Sequence, residues 1–267
     1  MVEGSIPSPH QSTINYLCLR MSIEREDLPN KGQIILETLR REFSQPMPEE
    51  YKELSKTADI APTAPTHGYS MQDIIKDDAL IERLTEENAS IDIKDGDITE
   101  MGSVLKKHLA GDTLIDLGCG NQKFIPNLAE ALGVRRYIGV DIAVTDNASK
   151  SNDFEIATFK DDMLLFVSRL PDNYGSFFVA GAEDYGGEGI QRPYVSGGGE
   201  VEYEADILPS EYMTQLLKEI FRTTRVGGLL VLGANNTFPD PESVGFKYVE
   251  LRNPEEAQRS TFVFIKE

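Results

Sequence analysis

Two glycines one residue apart, set between an apolar run and a helical stretch, constrain this chain more than any other feature. The segment Asp116-Leu117-Gly118-Cys119-Gly120-Asn121 follows Thr113–Leu117, which reads as a buried strand. It leads into Phe124–Leu132, which reads as a helix. Gly118 and Gly120 permit a tight backbone turn and let a ligand approach with no Cβ in the way. The start of the helix beyond them offers N–H groups to a carboxylate or phosphate. Tyr137–Val140 then reads as a second strand, with Asp141 at its end. A strand, a crossover helix and a strand in this order make a parallel pair, which commits the chain to the α/β class.

The rest of the chain from Thr113 repeats that alternation. Further strands are expected at Phe154–Phe159, Ser176–Ala180 and Leu229–Gly233, with helices at Met163–Leu170 and Ser210–Arg225. Ser210 suits an N-cap and Gly227-Gly228 a helix stop. Lys247–Leu251 and Thr261–Ile265 read as a closing antiparallel pair. The expected fold is thus a doubly wound, mostly parallel, seven-stranded sheet with a C-terminal antiparallel pair. Residues 1–110 read as a helical N-terminal extension and 111–267 as the ligand-binding domain. Apolar spacing predicts helices at Lys31–Phe43, Met71–Glu87 and Ile98–Leu109. Between the first two, Phe43–Ser70 carries Pro46, Pro48, Pro62 and Pro65 and reads as linker.

Charge narrows the partners. The chain of 267 residues has 26 Lys+Arg against 45 Asp+Glu, a net charge of −19. Nucleic acid and anionic membranes are gripped through basic surfaces, so neither is an expected partner. No apolar stretch is long enough for a membrane span, and the first residues lack a signal-peptide pattern. The two cysteines, Cys18 and Cys119, are too few for a disulfide framework and lack metal-ligand spacing. No metal is expected, and a cytoplasmic setting is. Nothing in the residues sets an oligomeric state.

An acid about twenty residues beyond such a glycine loop is placed to hold a ribose diol. The dinucleotide fingerprint G-x-G-x-x-G would put its third glycine at position 123, which is Lys123. The run LIDLGCGN…YIGVDIA instead resembles the first two motifs of the class I S-adenosylmethionine-dependent methyltransferases. The resemblance extends by strand order from Gly111 to Glu267; many members have a further glycine where Gln122 stands here. It implies S-adenosylmethionine as cofactor. Asp116 would hold the methionine amino group, and Gly118, Cys119 and Gly120 would give backbone contacts to the methionine part. Asp141 would accept from both ribose hydroxyls, with Ile142 packing on the adenine ring. Asp162, rather than its neighbour Asp161, would accept from the adenine amino group, with Met163 beside it. Gly181 would line the methionine and the transferred methyl. Asp162 also suits the N-cap of the helix that follows it.

Methyl transfer from a sulfonium needs mainly proximity and alignment, so the lack of a recognisable triad does not count against it. A base is needed only if the acceptor must lose a proton. Cys119 has no partnered histidine in view and reads as a packing residue. The acceptor wall is expected after Ser176–Ala180, with Glu183 and Tyr185 as candidate acceptor contacts. The glycine-rich, acidic loop Gly186–Pro209 reads as a structureless lid or surface loop. A small-molecule acceptor is expected, and the acidity favours a cationic or neutral one. Aminopropyl transfer, or a non-catalytic scaffold of the same fold, is the alternative.

Overall fold

The computed structural model describes residues 31–57, 100–120, 124–179, 192–195, 201–204, 210–232, 238–249 and 262–267. In chain order its helices are α1 (Lys31–Glu42), α2 (Glu49–Thr57), α3 (Glu100–Leu109), α4 (Phe124–Ala131), α5 (Met163–Ser168) and α6 (Ser210–Thr223). Its strands are β1 (Thr113–Leu117), β2 (Arg136–Asp141), β3 (Asn147–Ser151), β4 (Phe154–Lys160), β5 (Ser176–Val179), β6 (Arg192–Val195), β7 (Val201–Glu204), β8 (Leu229–Leu232), β9 (Phe246–Tyr248) and β10 (Phe262–Lys266). The expected helix Met71–Glu87 lies outside the described residues.

The main sheet runs β3-β4-β2-β1-β5-β8-β10-β9. Strands β4, β2, β1, β5 and β8 are parallel, and β10 and β9 close the sheet antiparallel. β1, β5 and β8 are buried along their whole length, as strands covered by helices on both faces should be. Alternate side chains feed two cores. Ile115, Leu117, Phe177 and Leu230 pack with α1, α5 and α6 on one face. Leu114, Tyr137, Phe178 and Val231 pack with α3 and α4 on the other.

Three expectations are corrected. The sheet has eight strands rather than seven, because β3 adds an antiparallel edge strand beside β4. Its residues, NASKS, carry no apolar alternation: at the sheet edge only Ala148 is half-buried against the core and the other four are exposed. The stretch read as linker holds α2. Pro48 precedes the helix, where its missing N–H costs nothing, and Glu49 and Glu50 favour the positive end of the helix dipole. The loop read as structureless contains a hairpin, β6 with β7, in which Tyr194 pairs with Glu202. Strand-prone Arg-Pro-Tyr-Val and Val-Glu-Tyr-Glu flank a run of three glycines in the sequence.

The N-terminal helices are part of the core. Leu36, Leu39 and Phe43 meet Phe159 and Phe166, and the Phe43 ring stands edge-on to both at 5.5 and 5.1 Å. Arg136 links the end of α1 to the sheet through Glu42 at 3.0 Å and Glu155 at 2.8 Å. At the opposite edge from the glycine loop, Asp112 accepts from Arg225 and Ser176, both at 2.7 Å, joining β1 to β5 and to the turn before β8.

Leu39→Ala removes a fully buried side chain and should cost about 2–5 kcal/mol. Urea unfolding checks this; a loss below ~1 kcal/mol would mean that α1 does not share the sheet's core.

Candidate functional site

The carboxyl ends of β1, β2 and β4 carry three acids at successive levels. Asp116 lies opposite Gly139 in the sheet, and Asp141 stands one pleat further, opposite Lys160. Asp161 and Asp162 follow directly. The chain runs outward from β1 through β2 to β4, then resumes on the other side with β5. This reversal is the switch point outside which ligands bind in open α/β sheets, and the glycine loop sits on it.

Asp116, Tyr137, Gly139 and Asp141 project from one face of the sheet, by strand alternation. Gly118 and Gly120 have φ of 76° and 52°, left-handed values that glycine adopts without strain. Gly118 and Cys119 both donate their N–H to the Val140 carbonyl, at 2.9 and 3.3 Å. Gly120 donates to Asp141 Oδ2 at 2.8 Å, and Ala143 to Asp141 Oδ1 at 2.7 Å. The loop's amides are therefore turned onto β2. The N–H groups of Gly118, Cys119 and Gly120 are thus engaged within the fold.

Beneath the loop Asp116 is 3% exposed and accepts from the Tyr137 hydroxyl at 2.7 Å. Burial pushes its pKa up to about 7, against the opposing pull of the Tyr137 hydrogen bond. Asp141, also buried, adds to the rise by repulsion. Cys119 fills the space over Gly139: a Cβ there would lie 2.8 Å from Cys119 Sγ and 3.2 Å from the Tyr137 hydroxyl. Burial, with Asp116 and Asp141 nearby, drives the Cys119 thiol well above its ordinary range, so it is a packing group and no nucleophile.

Asp162 belongs to the other face. It caps α5 by accepting the Leu165 N–H at 2.9 Å, and the Tyr212 hydroxyl of α6 donates to its Oδ2 at 3.0 Å. Met163 is buried in the core. Ile142 is half-buried against the same core. Asp161 turns away to pair with Arg169, at a recess of about 340 Å³ that also meets Arg40, Phe43 and Lys160. The two neighbouring acids are thus separated by their partners.

Gly181, Glu183 and Tyr185 lie outside the described residues, so the acceptor side is not part of this geometry. Gly139, Tyr137 and Tyr212 are site residues that the sequence reading passed over. Gly139 had a signal, since a glycine inside an apolar strand marks close backbone approach. Tyr137 and Tyr212 had none, because an aromatic residue with a buried hydroxyl looks like any core residue until its partner is known. Among the described residues no cluster of His, Cys, Asp or Glu could hold a metal ion. No described helix is long and apolar enough to cross a membrane.

No protein-family model matches the chain, and no curated protein does. Solved structures similar to it include an S-adenosyl-L-methionine methyl transferase from Silicibacter pomeroyi, at 14% identity and a TM-score of 0.36, covering 71% of this chain and 97% of that one. The N-methyltransferase NodS from Bradyrhizobium japonicum matches at 14% identity and 0.36, covering 62% and 92%. A TehB-like SAM-dependent methyltransferase from Corynebacterium glutamicum matches at 13% and 0.35, covering 61% and 88%.

The raised pKa of Asp116 has a consequence for folding. The folded chain keeps a proton there that the unfolded chain releases near pH 4. Stability from this group is complete below about pH 4 and is lost as pH rises towards 7, by up to ~1.4 kcal/mol per pH unit. Urea midpoints measured from pH 4 to 8 should show that fall in the wild type and a flatter profile in Asp116→Asn. Identical profiles would contradict the burial argument.

Proposed function

We propose that this chain is an S-adenosylmethionine-dependent methyltransferase acting on a small acceptor. The observation that carries this reading is the pair of buried carboxylates, Asp116 and Asp141, bracketing a two-glycine loop at the switch point of a parallel sheet.

The residues fit the cofactor's groups. A buried carboxylate whose donor among the described residues is the Tyr137 hydroxyl, with a pKa raised to about 7, would be held in its ionised form by a neighbouring cation, and an ammonium group would supply one. Asp141, buried at the end of β2, takes backbone N–H groups of Gly120 and Ala143 and would accept from the ribose hydroxyls. Gly118 and Gly120, without Cβ, let the methionine part lie against the loop's outward edge. Ile142 and the start of α5 would flank the adenine ring, with Asp162 accepting from its amino group. When bound, the cofactor supplies a methyl group on an already activated sulfur. The chain's contribution is then to fix that methyl group in line with the acceptor atom and to keep water away.

The acceptor would enter over β5, where Gly181, Glu183 and Tyr185 follow in the chain. The net charge of −19 favours a cationic or neutral acceptor over a phosphorylated one. By the same argument nucleic acid is disfavoured. Residues 111–267 would form the cofactor domain, with 1–110 as an extension packed upon it.

Calorimetric titration with S-adenosylhomocysteine should show binding, and titration with NAD should show none. Asp141→Ala should weaken the binding by about 1.5–3 kcal/mol, the scale of hydrogen bonds involving a charged group. Unchanged affinity would remove Asp141 from the ribose. Because the ammonium needs the ionised form of Asp116, affinity should rise with pH up to about 7, by as much as tenfold per unit, and then level off. Asp116→Asn should bind weakly at every pH; a wild-type affinity independent of pH would place the ammonium elsewhere. Isotope-labelled methyl donor incubated with extract fractions should label the small-molecule fraction, and label confined to nucleic acid would refute the acceptor class.

A further inference from the structure

The carboxyl edge of the sheet continues past β8 to a second recess. Phe262, the first residue of β10, lies opposite Leu232, the last of β8, and Leu232 lies opposite Val179 at the end of β5. Two strand spacings, about 10 Å, therefore separate Phe262 from the strand over which the acceptor would enter. From Phe262 an open recess of about 810 Å³ extends across β10 to β9, lined by Asp240, Glu242, Tyr248, Phe262 and Phe264.

The floor of this recess is aromatic. Tyr248 lies opposite Phe264 in the sheet, and Phe262 precedes Phe264 by two positions, so strand alternation puts all three rings on one face. Tyr248 stands edge-on to Phe264 with ring centroids 5.5 Å apart and is tilted against Phe262 at 6.4 Å. Phe264 is buried and Phe262 half-buried, whereas Tyr248 keeps 38% of its surface exposed. An aromatic surface is thus open to a ligand.

The rim is acidic. Asp240 caps the short 3-10 turn Pro241–Val244, its Oδ1 accepting the Glu242 N–H at 3.0 Å. That cap needs an oxygen rather than a charge, since asparagine serves as well as aspartate. Glu242 is exposed. Among the described lining residues none is cationic. The lysines of β9 and β10 are engaged elsewhere. Lys247 alternates to the face away from Tyr248 and pairs with Glu267, and Lys266 donates to the Phe221 and Thr224 carbonyls, both at 2.8 Å.

Ring faces carry a negative quadrupole that attracts a cation, and carboxylates on the rim add to that attraction. An anion is repelled by both. A neutral apolar group gains from the rings but nothing from the acids. An alkylated ammonium, positive and weakly hydrated, gains from both.

We infer that this recess binds the ammonium head of the acceptor, a small organic cation whose remaining length runs along the carboxyl edge towards β5. This rests on the methyltransferase reading above and names the class of its substrate, an alkylammonium compound.

The probes that test it are the quaternary cation choline and 3,3-dimethylbutan-1-ol, which has the same shape and no charge. NMR titration of the full chain, read at the Tyr248 and Phe262 rings, should show choline bound at least fivefold more tightly than the alcohol. Asp240→Asn combined with Glu242→Gln keeps the cap and removes both charges, and should bring the two affinities within twofold of each other. Tyr248→Leu, at an exposed position, should weaken choline by about two- to fivefold, the scale of one exposed cation–π contact. Saturating S-adenosylhomocysteine should leave choline bound. Equal affinity of the wild type for the two probes would overturn the inference, as would a choline preference that survives the charge-removing pair. Choline displaced by S-adenosylhomocysteine and lost in Asp116→Asn would also overturn it, by putting the cation in the cofactor site. A chain that binds choline at Tyr248 but does not bind S-adenosylhomocysteine would keep the cation site and overturn the methyltransferase reading.

Discussion

The hydrogen bond from Gly120 N–H to Asp141 ties the turn after the first strand to the end of the second, and the site depends on it. Together with the two amides donated to Val140, it folds the glycine loop down onto β2. The loop then needs room below it, and Gly139 provides that room by having no side chain where Cys119 must sit. Beside them Asp116 is buried and accepts from the Tyr137 hydroxyl. Loop, strand glycine and cysteine are therefore one packed unit, and burial raises the pKa of Asp116 to about 7.

On the opposite face the chain buries a second acid. There Asp162 accepts from its own helix and from the Tyr212 hydroxyl of α6. Burial raises the pKa of both acids, and the hydrogen bonds to Asp162 oppose that rise as the Tyr137 hydroxyl does at Asp116.

Much of this was legible in the residues. Apolar runs bounded by glycine and proline gave the strands of the parallel sheet, because strands buried on both faces must be apolar throughout. The glycine loop and Asp141 were visible because steric freedom and charge leave marks in one letter each. β3 was not visible, since an exposed edge strand is held by backbone bonds that do not depend on side-chain type. Helix α2 hid among prolines that precede it rather than break it. Tyr137 and Tyr212 were invisible for a deeper reason: each acts through a partner 21 or 50 positions away, and only the fold brings the pair together. The turned-in amides of the loop were equally unreadable, because backbone direction is set by the tertiary contact to Val140.

A crystal structure with S-adenosylhomocysteine bound tests the central claim most directly. The account predicts the ligand ammonium in contact with Asp116, the ribose hydroxyls on Asp141 and the purine amino group on Asp162. A nucleoside bound away from the carboxyl edge of β1 and β2, with Asp116 still shut in beside Tyr137, would contradict it.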